Sequence, residues 1–202
     1  MEVALTTVSE MKAGRPRRMR SEGRRSVAAI LDAALRVLGD RPQASMDEVA
    51  AAAGVSRQTV YAHFPSRDAL LGAVAHRLTD EAVAAMDAAD LDQGPAAGAL
   101  LRVVEVSWSI FDRFPLLSAV PEAADDDLHR PVFDRLERLI RRGQQAGEFD
   151  PELSPGWLIA ATVALGHAAG TEAAAGRMPA PDALAALRAS VLRVYGVRTP
   201  PA

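Results

Sequence analysis

Gln58, Tyr61 and Ala62 lie about 100° to 200° around a helix from Val60, whereas Phe64 lies within about 40° of it. A short helix from Arg57 to about Phe64 would therefore bury Val60 and Phe64 on one side and offer an amide and a phenol on the other. One side anchors and the other can read base edges. Competing chemistries have little to rest on. His63, His76, His129 and His167 lack metal-ligand spacing such as His-Glu-x-x-His, and neither a Gly-x-Ser-x-Gly elbow nor a glycine-rich phosphate loop after a strand occurs. The acidic run Asp125-Asp126-Asp127 has no partners that suggest catalysis. Cysteine is absent, which removes a disulfide scaffold, a thiolate metal site and a cysteine nucleophile together. The sequence thus predicts no catalytic residue, no metal site and no cofactor.

The elements around that flank are short and sharply punctuated. Val27, Ile30, Leu31, Ala34, Leu35 and Leu38 recur at the three-and-four spacing of one helical stripe, which Gly39 ends. Ser45 followed by Glu48 forms a capping box, and Met46, Val49, Ala50 and Ala53 give the second helix two turns of apolar face. Gly54 stops it, Ser56 can cap a third helix two residues later, and Pro65 closes that helix by forcing the preceding residue out of helical geometry. Two helices joined by a tight glycine turn, after a first, are the layout of a helix-turn-helix unit, whose later helix enters the DNA major groove. Ser66 and Asp68 open a fourth helix that continues to about Ala89.

The rest of the 202 residues also reads as helix. Alanine dominates, and only 5 Phe, 2 Tyr and 2 Trp are present, so no strand is expected. Asp90 to Gly94 and Pro121 to Asp127 read as loops; Leu101, Val104, Trp108 and Phe111 share a helix face, with Pro115 ending that segment. Val132, Phe133, Leu136, Leu139, Ile140 and Gly143 mark another helix, Ser154-Pro155 opens one running to about Ala175, and Pro181 starts the last. With no signal peptide and no apolar run near the ~20 residues of a membrane span, the reading is a soluble cytoplasmic protein without a membrane partner. Charge is uneven: Met1 to Arg77 holds 12 basic and 8 acidic residues, Leu78 to Ala202 holds 11 and 18. Lys12, Arg15, Arg17, Arg18, Arg20, Arg24 and Arg25 concentrate the positive charge in what reads as a flexible basic arm.

The stretch ILDAALRVLGDRPQASMDEVAAAAGVSRQTVYAHFPSRDALLGAV resembles the N-terminal DNA-binding domain of TetR-type transcriptional regulators. The Ala-Ala-Gly-Val-Ser turn, the Thr-Val-Tyr-x-His-Phe core and the Ser-Arg-Asp-Ala-Leu opening of the next helix stand in the family's order. The resemblance implies an all-α homodimer: an N-terminal three-helix helix-turn-helix domain on a palindromic double-stranded DNA operator, and a C-terminal helical domain for ligand binding and dimerisation. The corresponding division is a disordered basic arm at 1–23, a DNA-binding domain at 24–84 with its motif at 46–65, and an effector-binding and dimerisation domain at 85–202. Carried over by position, Gln58 and Thr59 fall on base-contacting positions, and Tyr61 and His63 on positions that grip the backbone. Arg67 suits a phosphate contact that Arg57 and Ser45 can join. Ala62 stands where a larger polar or aromatic residue is common; it can touch a thymine methyl but donates no hydrogen bond, so base reading leans on Gln58, which suits adenine N6 and N7.

A small-molecule effector, as the resemblance implies, would meet bulky side chains of the C-terminal helices. Met86, Trp108, Phe111, Phe133 and Trp157 are candidates, with Phe114, Leu136 and Met178 beside them, and Glu105 and His167 are the polar groups that could orient a guest. Each has a plainer reading as core, solvated carboxylate or satisfied imidazole. Small residues from Ala160 to Gly176 facing Leu and Val from Pro181 to Tyr195 suit a four-helix seam between subunits. The function expected is repression relieved by ligand; the alternatives weighed are a helix-turn-helix adaptor that docks protein and, with less support, an enzyme.

Overall fold

In a computed structural model the described residues are 15–113 and 126–197, and among them every regular element is an α-helix. The elements are α1 (Arg15–Asp40), α2 (Met46–Ala53), α3 (Arg57–His63), α4 (Arg67–Ala88), α5 (Ala96–Arg113), α6 (Asp126–Gln145), α7 (Pro155–Ala174) and α8 (Ala180–Val194). The chain divides into two compact units between Leu71 and Gly72, inside α4 and earlier than the boundary after residue 84 read from the sequence.

In the first unit α1 packs on α2 and α2 on α3. Ile30, Ala33, Ala34, Leu35 and Leu38 are buried on α1, Met46, Val49 and Ala50 on α2, and Val60 with Phe64 at α3. The local chemistry explains the breaks. Ser45 Oγ accepts from the Glu48 backbone N–H at 3.3 Å, while a Glu48 carboxylate oxygen accepts from the Ser45 N–H at 2.7 Å. Those bonds hold the Glu48 carboxyl below its ordinary pKa, the Ser45 backbone bond contributing most. Gly54 ends α2 at φ 67°, and Phe64, before Pro65, is extended at φ −130° and ψ 92°. The basic segment departs from expectation: it is helical from Arg15, because arginine and methionine are good helix formers that prolong a helix already nucleated by the Ile30 stripe. Residues 1–14 lie outside the described part.

The second unit is a helical bundle whose core joins Met86, Leu100, Val104, Trp108, Leu136, Ile140, Phe149, Leu158, Leu187, Val191 and Tyr195. Two arginines secure the loop after α4. Arg102 donates to the carbonyls of Ala89 and Asp90, and Arg142 to those of Leu91 and Gly94. The start of α5 is capped from afar, by a Glu148 carboxylate oxygen that accepts from the Ala97 N–H at 3.1 Å. Backbone bonds from Ala96 and then Ala97 hold that carboxyl below the usual range. α6 begins at Asp126, five residues before Pro131, so the helix starts earlier than the Val132 stripe predicts. The rest of the loop expected at Pro121 to Asp127 lies outside the described residues, as does Phe114.

Candidate nucleic-acid interface

Residue by residue, α3 is built as an anchored blade. Val60 is wholly buried and Phe64 nearly so, while Arg57, Gln58, Tyr61, Ala62 and His63 are exposed. Ser56 caps the helix, its Oγ accepting from the Thr59 N–H at 3.1 Å and pairing with the Thr59 hydroxyl at 2.8 Å. Thr59 is therefore half-buried and its hydroxyl is already satisfied within the turn. The Arg57 guanidinium lies 5.3 Å from the centre of the Tyr61 ring and donates to Asp47 Oδ2 at 3.0 Å. Stacking and ion pairing hold that cation over the phenol instead of leaving it to wander in solvent. His63 stands at the end of the blade, 6.4 Å ring to ring from the buried Phe64.

The structure thus brings Arg57, Gln58, Tyr61, Ala62 and His63 onto one exposed surface, and it adds Asp47, which the sequence reading passed over. Only the fold brings its carboxylate, ten residues before Arg57, across the Gly54 turn. Two expected contacts do not join that surface. The Ser45 hydroxyl is committed to the capping box, donating to Glu48 at 3.0 Å. Arg67 is only partly exposed, and its two terminal nitrogens donate to the backbone carbonyls of Ala44 and Pro42. Both residues serve the α1–α2 turn, because its carbonyls and the first N–H groups of α2 have no partners within the helices.

The effector candidates separate likewise. Met86 and Trp108 belong to the core of the second unit, and Phe133 is half-buried with its ring 5.9 Å from that of His129. Phe111 and His167 meet edge to face at 5.4 Å, beside the buried Gly166, where an added methyl would stand 4.0 Å from Phe111 Cε2. Glu105 is instead a surface carboxylate paired with Arg188 Nη1 at 2.6 Å, and Trp157 is 60% exposed at the start of α7. Neither lines the interior with Trp108. For Trp157 the sequence pattern gave no guide, because α7 is apolar around most of its circumference and carries no stripe to say which face turns inward.

Comparison with known proteins covers the helix-turn-helix segment and most of the remaining chain. A family model described as bacterial regulatory proteins, tetR family, matches residues 30–74, from α1 into α4. The transcriptional repressor LfrR of Mycolicibacterium smegmatis is 40% identical over 159 residues, covering 77% of this chain and 82% of LfrR. The chain belongs to the TetR family. As a TetR-family protein it is a DNA-binding transcriptional regulator with an N-terminal helix-turn-helix domain and a helical C-terminal domain. The transcriptional regulator EthR of Mycobacterium tuberculosis is 37% identical over 97 residues, 46% of this chain and 44% of its own. Among solved structures, LfrR in complex with proflavine is 34% identical with a TM-score of 0.61, covering 88% of this chain and 99% of that one. FadR from Bacillus halodurans, at TM-score 0.70 and 17% identity, shares the fold. TetR-family relatives are regulators, not enzymes. Among the described residues no helix is long and apolar enough to cross a membrane.

Proposed function

We propose that this TetR-family protein is a repressor that binds a palindromic operator as a homodimer and is released from it by a small molecule. The observation that carries the reading is the exposed flank of α3, with Gln58, Tyr61 and Ala62 outward over a buried Val60. On this reading Gln58 and Ala62 meet base edges, with the Thr59 side chain beside them, and Arg57, Tyr61 and His63 hold phosphates. A single blade reads one half-site, so two must be spaced about 34 to 36 Å, or a multiple, to enter successive major grooves. The seam proposed is α7 with α8. They pack together within the chain, and α7 still presents Trp157, Ala160, Ala164 and Ala168 to solvent at helical spacing. A ligand that prefers another spacing of the blades weakens operator binding by the same factor by which DNA weakens ligand binding. The Phe111 ring and the His167 imidazole, edge to face at 5.4 Å, are the aromatic pair on which a flat guest would act, and proflavine, bound by LfrR, is the first compound to titrate.

The test is retardation of a labelled fragment of the gene's own upstream region, which should be specific and weaken steeply with salt. Gln58→Ala should cost about tenfold or more in discrimination at one base pair of each half-site, while binding to unrelated DNA stays the same. An unchanged base preference in that variant would remove Gln58 from the reading surface.

A further inference from the structure

We propose that Arg67 is a positioning residue for DNA binding, holding α2 and α3 in place through the α1–α2 turn without touching the operator; this rests on the DNA-binding reading above. The turn from Arg41 to Ser45 contains no glycine, and its Pro42 and Ala44 carbonyls both point to one guanidinium. Arg67 is the first residue of α4, four positions after His63 at the end of the α3 blade. Its side chain reaches back across 23 and 25 residues, so the hydrogen-bonded fork closes the segment 42–67 into a ring that contains the whole of α2 and α3. Helices of eight and seven residues are too short to hold a direction by themselves, and what fixes their ends fixes the blade. At the near end of the same turn the capping box and the Arg41 bond to Glu48 complete the frame.

Lysine separates this role from a phosphate contact. A phosphate accepts an ammonium nearly as well as a guanidinium, whereas two carbonyls held apart by the turn need the planar fork that only arginine supplies. The experiment compares wild type, Arg67→Lys and Arg67→Ala in the full chain by titration with the upstream fragment across a salt series, and by amide hydrogen exchange without DNA. The expected result is that both variants lose about tenfold in specific affinity, keep the wild-type dependence of log K on log salt, and exchange faster at residues 42–48. If Arg67→Lys binds like wild type while Arg67→Ala loses about 0.9 from the salt slope, Arg67 is a phosphate contact and the proposal is overturned. Unchanged exchange in both variants overturns it equally. Should wild type show no preference among DNA fragments while the variants still exchange faster at 42–48, the DNA reading fails but the hold of Arg67 on the turn stands.

Discussion

Gly143→Ala is expected to lower the melting temperature by about 2 to 8 °C, against the usual gain of alanine over glycine within a helix. On α6 a methyl at this position would overlap Phe149 Cδ2 and Cε2 and stand 2.8 Å from Cγ. The ring has nowhere to go. It is 2% exposed, its centre lies 5.0 Å from that of Tyr195 at 82°, and its own N–H is bonded to the Gly143 carbonyl at 3.2 Å. Overpacking a fixed aromatic costs about 1 to 3 kcal/mol or more, and here it must exceed the ~1 kcal/mol that alanine contributes. Gly72→Ala is the control, since a methyl there meets nothing within 4 Å. Calorimetry of the two variants decides the matter: a Gly143→Ala protein as stable as Gly72→Ala would mean that the helix and the ring are not in close contact.

Tyr195→Ala is expected to cost about 3 to 5 kcal/mol in urea denaturation, the range for removing a buried aromatic side chain. The Tyr195 hydroxyl pairs with the Thr162 hydroxyl at 2.9 Å and donates to the Leu158 carbonyl at 3.3 Å, tying the end of α8 to α7. Burial pushes this phenol up to about 12, only partly offset by the Thr162 bond. An unfolded tyrosine loses its proton near pH 10, so between about pH 10 and 12 the unfolded chain binds fewer protons than the folded one. Stability must then fall as pH rises through that window, by at most about 2 to 3 kcal/mol. Tyr195→Phe should abolish this alkaline loss while costing about 1 to 2 kcal/mol at neutral pH. Equal slopes for wild type and Tyr195→Phe above pH 10 would show that the hydroxyl is not buried. Because α7 and α8 are the proposed subunit seam, Tyr195→Ala should also weaken dimerisation and, through it, operator binding.

What was legible in the sequence is what local chemistry determines. Ser45 with Glu48, Gly54, Ser56 and Pro65 bracket α2 and α3 because caps, left-handed glycines and prolines act on their immediate neighbours, and the turn of Val60 inward follows from helical periodicity alone. What was not legible depends on partners far along the chain. Nothing near Arg67 in sequence announces the carbonyls of Pro42 and Ala44 to which it donates. Glu105 looked like a polar group on an apolar helix, and its Arg188 partner lies 83 residues away. Phe149, after the Gly147 turn, sits in no periodic stripe; the only trace of its place was a glycine at position 143 inside an otherwise large-sided helix. The basic segment misled for the opposite reason: its charge suggested a solvated coil, although arginine side chains extend freely from a helix at little cost.

The unequal surroundings of the two indoles give this protein a built-in optical gauge. Trp108 is 9% exposed in the bundle core and Trp157 is 60% exposed on α7, so the two emit as a shielded blue component and a wetter red one. Iodide is expected to quench the second far more than the first. Association of two copies along α7 would dim that quenching without altering the first, allowing assembly to be followed in plain buffer with no attached dye.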